Sequence, residues 1–452
     1  MSAVVWFRRD LRLADNPAWS EATNRHESVQ ALFVIDPRLW KDPTTRRAQM
    51  LAAHLAALDL SIAGSGGCLK VVHGTPERVL VEIAADHERV YWNDDYNPFA
   101  VARDDAVEAA LPRVARYHGS AVHRPGSIVK PDGSHYRVFS AYWNRWRNTP
   151  WQLAGQPGSA RLLSDRGDGV PAHDYTGLAG EVAADERLSE FLDQVDSYQN
   201  LRDFPAKEGT SRLSTDLKFG TISPARVVAE VGDGTPGREV FIRQLCWRDF
   251  HAQILHFQPD GRSQPYRKEY ARVPWRWDAD EFNAWTSGRT GFPFVDAGMR
   301  QLASTGWMHN RVRMVVASFL VKDLLIDWRH GERWFRCQLV DADVAQNIGN
   351  WQWVAGTGVD AAPYFRIFNP TRQSRRFDPD GDYIQQWVPE LRGMPSDLIH
   401  EPWGTTPLAR RWEAAVLASG YPKPLVDHAS ARERTIHAFR TAAGSHSVAD
   451  KR

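Results

Sequence analysis

Residues 307–370 read WMHNRVRMVVASFLVKDLLIDWRHGERWFRCQLVDADVAQNIGNWQWVAGTGVDAAPYFRIFNP. Apolar residues at 312, 315, 316, 319 and 320 recur at helical spacing, so Trp307–Leu325 is expected to form a helix. Residues three and four apart are neighbours on a helix, which puts Asn310, Arg313 and Met314 on one face. A polar pair beside a flexible thioether suits a binding surface better than a packed one. Asp341 and Asp343 follow, then Asn347 one helical turn on. A helix would separate the two carboxylates, whereas a turn could bring both to one ligand. Paired carboxylates can serve as acid and base or as metal ligands, but no further Asp, Glu or His cluster supports a metal. Tryptophans at 307, 328, 334, 351 and 353 would ordinarily be read as core.

Working outward, 452 residues favour two domains, and 42% hydrophobic residues suffice for sizeable cores. A formal net charge of +1 means that any nucleic-acid binding must rest on a local basic patch. Cys68, Cys246 and Cys337 are too far apart for a zinc site and too few for a four-cysteine cluster, and their sparse, odd count suits a reducing cytosol. The opening MSAVVWFRRDLR is a strand pattern followed by charge rather than a signal peptide, and no apolar run is long enough to span a membrane. A cytoplasmic monomer without an obligate protein partner is the expectation.

Ala3–Phe7, Val29–Ile35, Leu69–Val72 and Val90–Trp92 read as buried strands, with helical patterns at Arg46–Leu60 and Pro76–Ala85 between them. That alternation implies an α/β domain with a parallel, Rossmann-like sheet, although no Gly-x-Gly-x-x-Gly follows the first strand. Residues 131–185, with SDRGDGVPAHDYTG, have linker composition. From Glu186 the patterns are helical, as at Arg238–Phe257. The expected organisation is an α/β domain over 1–130, a linker over 131–185, an all-α domain over 186–440 and a frayed tail over 441–452. Gly209-Thr210-Ser211-Arg212-Leu213-Ser214 offers small hydroxyls and backbone N–H groups, as a phosphate cradle or an ordinary helix N-cap would.

The segments WMHNRVRM, LLIDWRHGERWF, DADVAQN and NWQWVAGTGVDAAPYFRIFNP closely resemble the flavin domain of class I DNA photolyases of the cyclobutane-dimer type, the sister family of the cryptochromes. The resemblance reaches more weakly through WFRRDLRLADNP to nearly the whole chain. It implies an FAD-binding all-α domain and an α/β antenna domain. Tyr198, Thr210, Ser211, Arg212, Leu213 and Ser214 would grip the FAD diphosphate. Arg313, Asp341, Ala342 and Asp343 would contact the flavin, with Arg313 pairing to Asp341. Asn347 would face the reactive ring nitrogen. Trp351, Trp328 and Trp307 would relay electrons from the surface to the flavin.

The implied activity is light-driven repair of cyclobutane pyrimidine dimers, by electron transfer from reduced FAD to a dimer flipped out of UV-damaged DNA. Trp247 and Trp353 would wall the lesion pocket, with Asn310 and Met314 beside it. Arg202, Arg311 and Gln373 would contact DNA, as would the arginines of RIFNPTRQSRR. Gln244 stands where the best-known dimer photolyases have Glu, and an amide hydrogen-bonds but supplies no proton. Gln also occurs in (6-4) photolyases, yet Asn310 replaces a histidine of their proton-donating pair. A (6-4) photolyase and a cryptochrome-like blue-light receptor are the alternatives. Phe99-Ala100 replaces the Asn-Glu pair of folate-binding members, so a deazaflavin antenna is favoured over folate. Asp36, Arg46 and Asp95 are expected at strand ends, where α/β sheets bind ligands.

Overall fold

The computed structural model describes residues 2–403 and 407–444. Residues 445–452 of the expected tail lie outside the described residues. The chain divides into two compact units, Met1–Gln199 with Thr210–Pro259, and Asn200–Gly209 with Asp260–Arg452.

The first unit is built on β1 (Ser2–Phe7), β2 (Ser28–Ile35), β3 (Leu69–His73), β4 (Arg89–Asn93), β5 (Val114–Tyr117) and β6 (Arg161–Leu162). All pairings are parallel, in the order β3-β2-β1-β4-β5, with β6 also pairing with β2. A sheet covered on both faces calls for unbroken apolar strands, and β2 is buried at every residue. Side chains alternate between faces. Val5, Phe7 and Phe33 enter one core, whereas Val4, Trp6 and Leu32 enter another. Each of the four expected strands is present. β5 and β6 were not expected, being four half-buried residues and a two-residue pairing.

Helix α1 (Pro236–Phe257) belongs to this unit, starting one residue after its N-cap Thr235. Its Asp249 is fully buried, accepts N–H bonds from Val122, His123 and the Trp146 indole, and is pushed up to about 6 by burial.

The second unit holds no strand among the described residues. Its helices include α2 (Ala279–Thr286), α3 (Pro293–Thr305), α4 (Asn310–Ser318), α5 (Trp328–Gln338), α6 (Val344–Ala355), α7 (Pro370–Phe377) and α8 (His428–Ala443). The continuous helix expected over Trp307–Leu325 is shorter. His309 caps α4 by accepting the Arg311 N–H, so Trp307 and Met308 precede the helix. After Ser318 the backbone widens into a π-helical turn, Phe319–Asp323, and Leu325 takes a left-handed φ of 55°. Gly298 lets α3 and α4 approach closely, because a Cβ there would overlap the Val312 side chain.

Candidate functional site

A cavity in the second unit is lined by α4, by the turn between α5 and α6, and by α6. Asn310, Arg313 and Met314 all border it, as their shared helix face predicts. Asp341, Ala342 and Asp343 lie in the turn and border it too, so the non-helical backbone does bring both carboxylates to one place. Asp343 also caps α6 by accepting the Gln346 N–H at 3.1 Å.

The Arg313 guanidinium donates to Asp341 Oδ2 at 2.7 Å and to the Met308 carbonyl at 2.7 Å. Asp341 Oδ1 is buried without a hydrogen-bond partner among the described residues. A buried carboxylate oxygen without a donor is costly, and such an atom points to a ligand that supplies one. Asn347 donates both amide hydrogens to Glu332, at 2.9 Å to its backbone oxygen and 2.9 Å to Oε1. Two acceptors on one side fix the amide orientation, so Asn347 presents an acceptor to anything else.

The aromatic wall is Phe335 and Trp351. Trp351 is buried and meets Phe335 edge-on at 5.0 Å and Trp285 at 6.3 Å. Gly331 permits this, since a Cβ there would overlap the Trp351 ring. Trp328, also buried, opens α5. Trp307 lies toward the other end of that helix, where Gly306 O accepts the Val340 N–H at 2.9 Å. Eleven residues at 1.5 Å each make α5 about 16 Å long. At the Trp328 end, Arg276 N–H donates to Leu325 O at 2.8 Å and Arg276 bridges to Ile326. The half-buried Trp275 thus lies beside the chain entering α5. The sequence reading missed Trp275, Trp285 and Glu332. Three indoles in WRWDADEFNAW (275–285) are the one signal that could have found the first two.

Half-buried Trp353 packs on the core of this unit. Arg311 donates to Asp203 at 2.9 Å and lies over the Phe377 ring at 4.3 Å, and Arg202 stands 3.9 Å from the same carboxylate. Gln373 is on α7, half-buried between the exposed Arg372, Arg375 and Arg376.

In the first unit, Gln244 donates to Val240 O at 3.0 Å along α1, and half-buried Trp247 stacks on Phe139 at 3.7 Å. Tyr198 is buried against Phe191 and Phe241. Thr210 and Ser211 precede Arg212, whose φ of 56° turns the chain so that buried Leu213 leads into the short helix at Ser214. Asp36 is clasped by Arg38, which also bonds Glu77 at 2.9 Å. Asp95 accepts from Arg9 at 3.2 Å, and Arg46 is exposed.

Residues 3–158 match the family model of DNA photolyase, and residues 241–441 that of the FAD binding domain of DNA photolyase. A deoxyribodipyrimidine photo-lyase of Halobacterium salinarum is 40% identical over 98% of this chain and 99% of its own. This chain belongs to the DNA photolyase family. Among solved photolyase-family structures, a bacterial class III photolyase from Agrobacterium tumefaciens superposes with a TM-score of 0.90 at 36% identity, over 98% of each chain. A Synechocystis cryptochrome superposes at 0.87 and 28% identity, over 96% of this chain and 98% of its own. The whole cavity lies inside the stretch that matches the photolyase FAD domain. Its residues fit a flavin ring, since Asp341 Oδ1 needs a donor, Asn347 offers an acceptor and Phe335 with Trp351 supplies an aromatic wall. Among the described residues no group of acidic, His and Cys side chains could hold a metal, and no helix is long and apolar enough to cross a membrane.

Proposed function

We propose that this photolyase-family protein repairs cyclobutane pyrimidine dimers in DNA with light, as a carbon–carbon lyase of the class I type. Bound FAD supplies light absorption and the electron that splits the dimer. The orphaned Asp341 oxygen, in one cavity with the Asn347 acceptor, carries this reading. Asp341, held by Arg313, would take a hydrogen bond from the ring, and the Asn347 oxygen would take one from its reactive nitrogen. Ala342 and Asp343 complete that contact. Tyr198 and Thr210 to Ser214 remain the proposed partners of the diphosphate.

Trp247, Trp353, Asn310 and Met314 would receive the flipped bases. Gln244 would hydrogen-bond them without donating a proton. Arg202, Arg311 and Gln373 would hold the DNA backbone. Trp351 and Trp328 begin the relay that resupplies electrons. The pairing of Arg276 with Leu325–Ile326 supports Trp275 as its outlet in place of Trp307. A second chromophore, of deazaflavin type, would bind near Asp36, Arg46 and Asp95.

The deciding experiment illuminates the reduced protein with oligonucleotides bearing either a cyclobutane dimer or a (6-4) product. Restoration of the cyclobutane dimer alone is expected. Restoration of only the (6-4) product would overturn the substrate, and restoration of neither would favour a light sensor. Asn310, standing where (6-4) enzymes need a histidine, supports the expected result.

A further inference from the structure

Trp351 has an aromatic neighbour that the relay above does not use. Buried Trp285 lies edge-on to it at 6.3 Å. Helix α2 sets Phe282 and Trp285 three residues apart, hence on one face, with ring centres 5.7 Å apart. Phe282 in turn meets Trp277 at 5.4 Å. Trp277 is 56% exposed, an unusual position for an indole, and it lies at 4.4 Å and 31° against His330 of α5. A continuous file of rings therefore runs from the cavity wall to solvent.

We infer that Trp285 and Trp277 form a second electron inlet to Trp351, with Phe282 as the ring between them. The inference rests on the flavin photochemistry proposed above. Once Trp351 has given one electron to the illuminated flavin in its oxidised form, Trp285 returns one electron to Trp351. Trp277 then returns one electron to Trp285 across Phe282. The oxidised Trp277 releases its indole proton to water, and a thiol reductant in solution restores it with one electron and one proton. Each hop moves a single electron between indoles, and no charge stays buried. Phe282 is too hard to oxidise to hold the charge, so it acts as the medium between two indoles. The file shares only Trp351 with the route through Trp328, so blocking one leaves the other open.

The test illuminates the flavin-loaded protein with a nitroxide-forming spin trap and maps adducts by mass spectrometry, with transient absorption of tryptophan radicals as the second readout. The expected result is an adduct on Trp277 in the parent protein. In Trp328→Phe its share should rise, while the radical yield falls several-fold without vanishing. Trp277→Phe, an exposed change that should leave folding intact, should abolish the yield remaining in Trp328→Phe. Adducts confined to other tryptophans in Trp328→Phe, or a residual yield indifferent to Trp277→Phe, would overturn the second inlet alone. Absence of any light-dependent radical in the parent would overturn both this inlet and the flavin reading.

Discussion

Asp341 is the residue on which the site turns. One of its oxygens is engaged by Arg313, and the other is buried without a donor. Hydrogen bonds to charged groups contribute about 1.5–3 kcal/mol, so Asp341→Asn should weaken FAD binding by roughly tenfold or more, at ~1.4 kcal/mol per decade. The substitution also leaves Arg313 without its counter-charge. Flavin titration by fluorescence quenching, with circular dichroism as a check on folding, measures this. An unchanged affinity would show that the orphaned oxygen does not face the ring. How far such a site is legible in sequence depends on the residue. The spacing of Asp341 and Asp343 left helix or turn open, and the irregular backbone decides for the turn. Glu332 was invisible, because a lone Glu in WRHGERWF looks like surface. It is nevertheless buried and sets which end of Asn347 a ligand meets.

Elements were legible where one physical rule dominated. β1 to β4 are short apolar runs because a doubly covered sheet demands them, whereas VARY in β5 carries no such pattern. The expected helix over Trp307–Leu325 ran too long, because its apolar spacing continues through the π-helical turn. That turn holds Lys322, which is buried, donates to Ala355 O at 2.7 Å and lies 3.9 Å from the Phe439 ring of α8. Neighbouring Asp323 is occupied by His428 of α8 at 2.5 Å. Burial pulls the Lys322 ammonium down to about 7. The folded value lies below that of the unfolded chain, so between pH ~7 and ~10.4 the unfolded state holds a proton that the folded state has released. Stability from this group therefore rises with pH across that window, and its cost is fully present below pH ~7. Lys322→Met should flatten the rise, which is on the order of a few kcal/mol. Denaturant melts of both proteins at pH values across the window test it. Parallel curves would mean that the lysine titrates as it does in water.

At the scale of the whole molecule, a net charge of +1 offers a polyanion no general attraction. Any proposed grip on DNA must come from local arginines, and the second unit clusters them. Arg372, Arg375 and Arg376 are exposed on or beside α7, close in sequence to exposed Arg366. Arg375 already shares Glu401 at 3.2 Å, and Arg311 shares Asp203. Arg372 and Arg376 have no such acidic partner among the described residues. Each phosphate neutralised contributes about −0.9 to the slope of log affinity against log salt on duplex DNA. Arg372→Gln and Arg376→Gln should each make that slope shallower by about one, on damaged and undamaged DNA alike. Arg375→Gln should change it less, because Glu401 already offsets that charge. Gln373→Ala removes no charge and should leave the slope alone, whatever it does to affinity at one salt concentration. Fluorescence anisotropy over a salt series separates these cases. Equal slopes for the parent protein, Arg372→Gln and Arg376→Gln would remove α7 from the DNA-binding face.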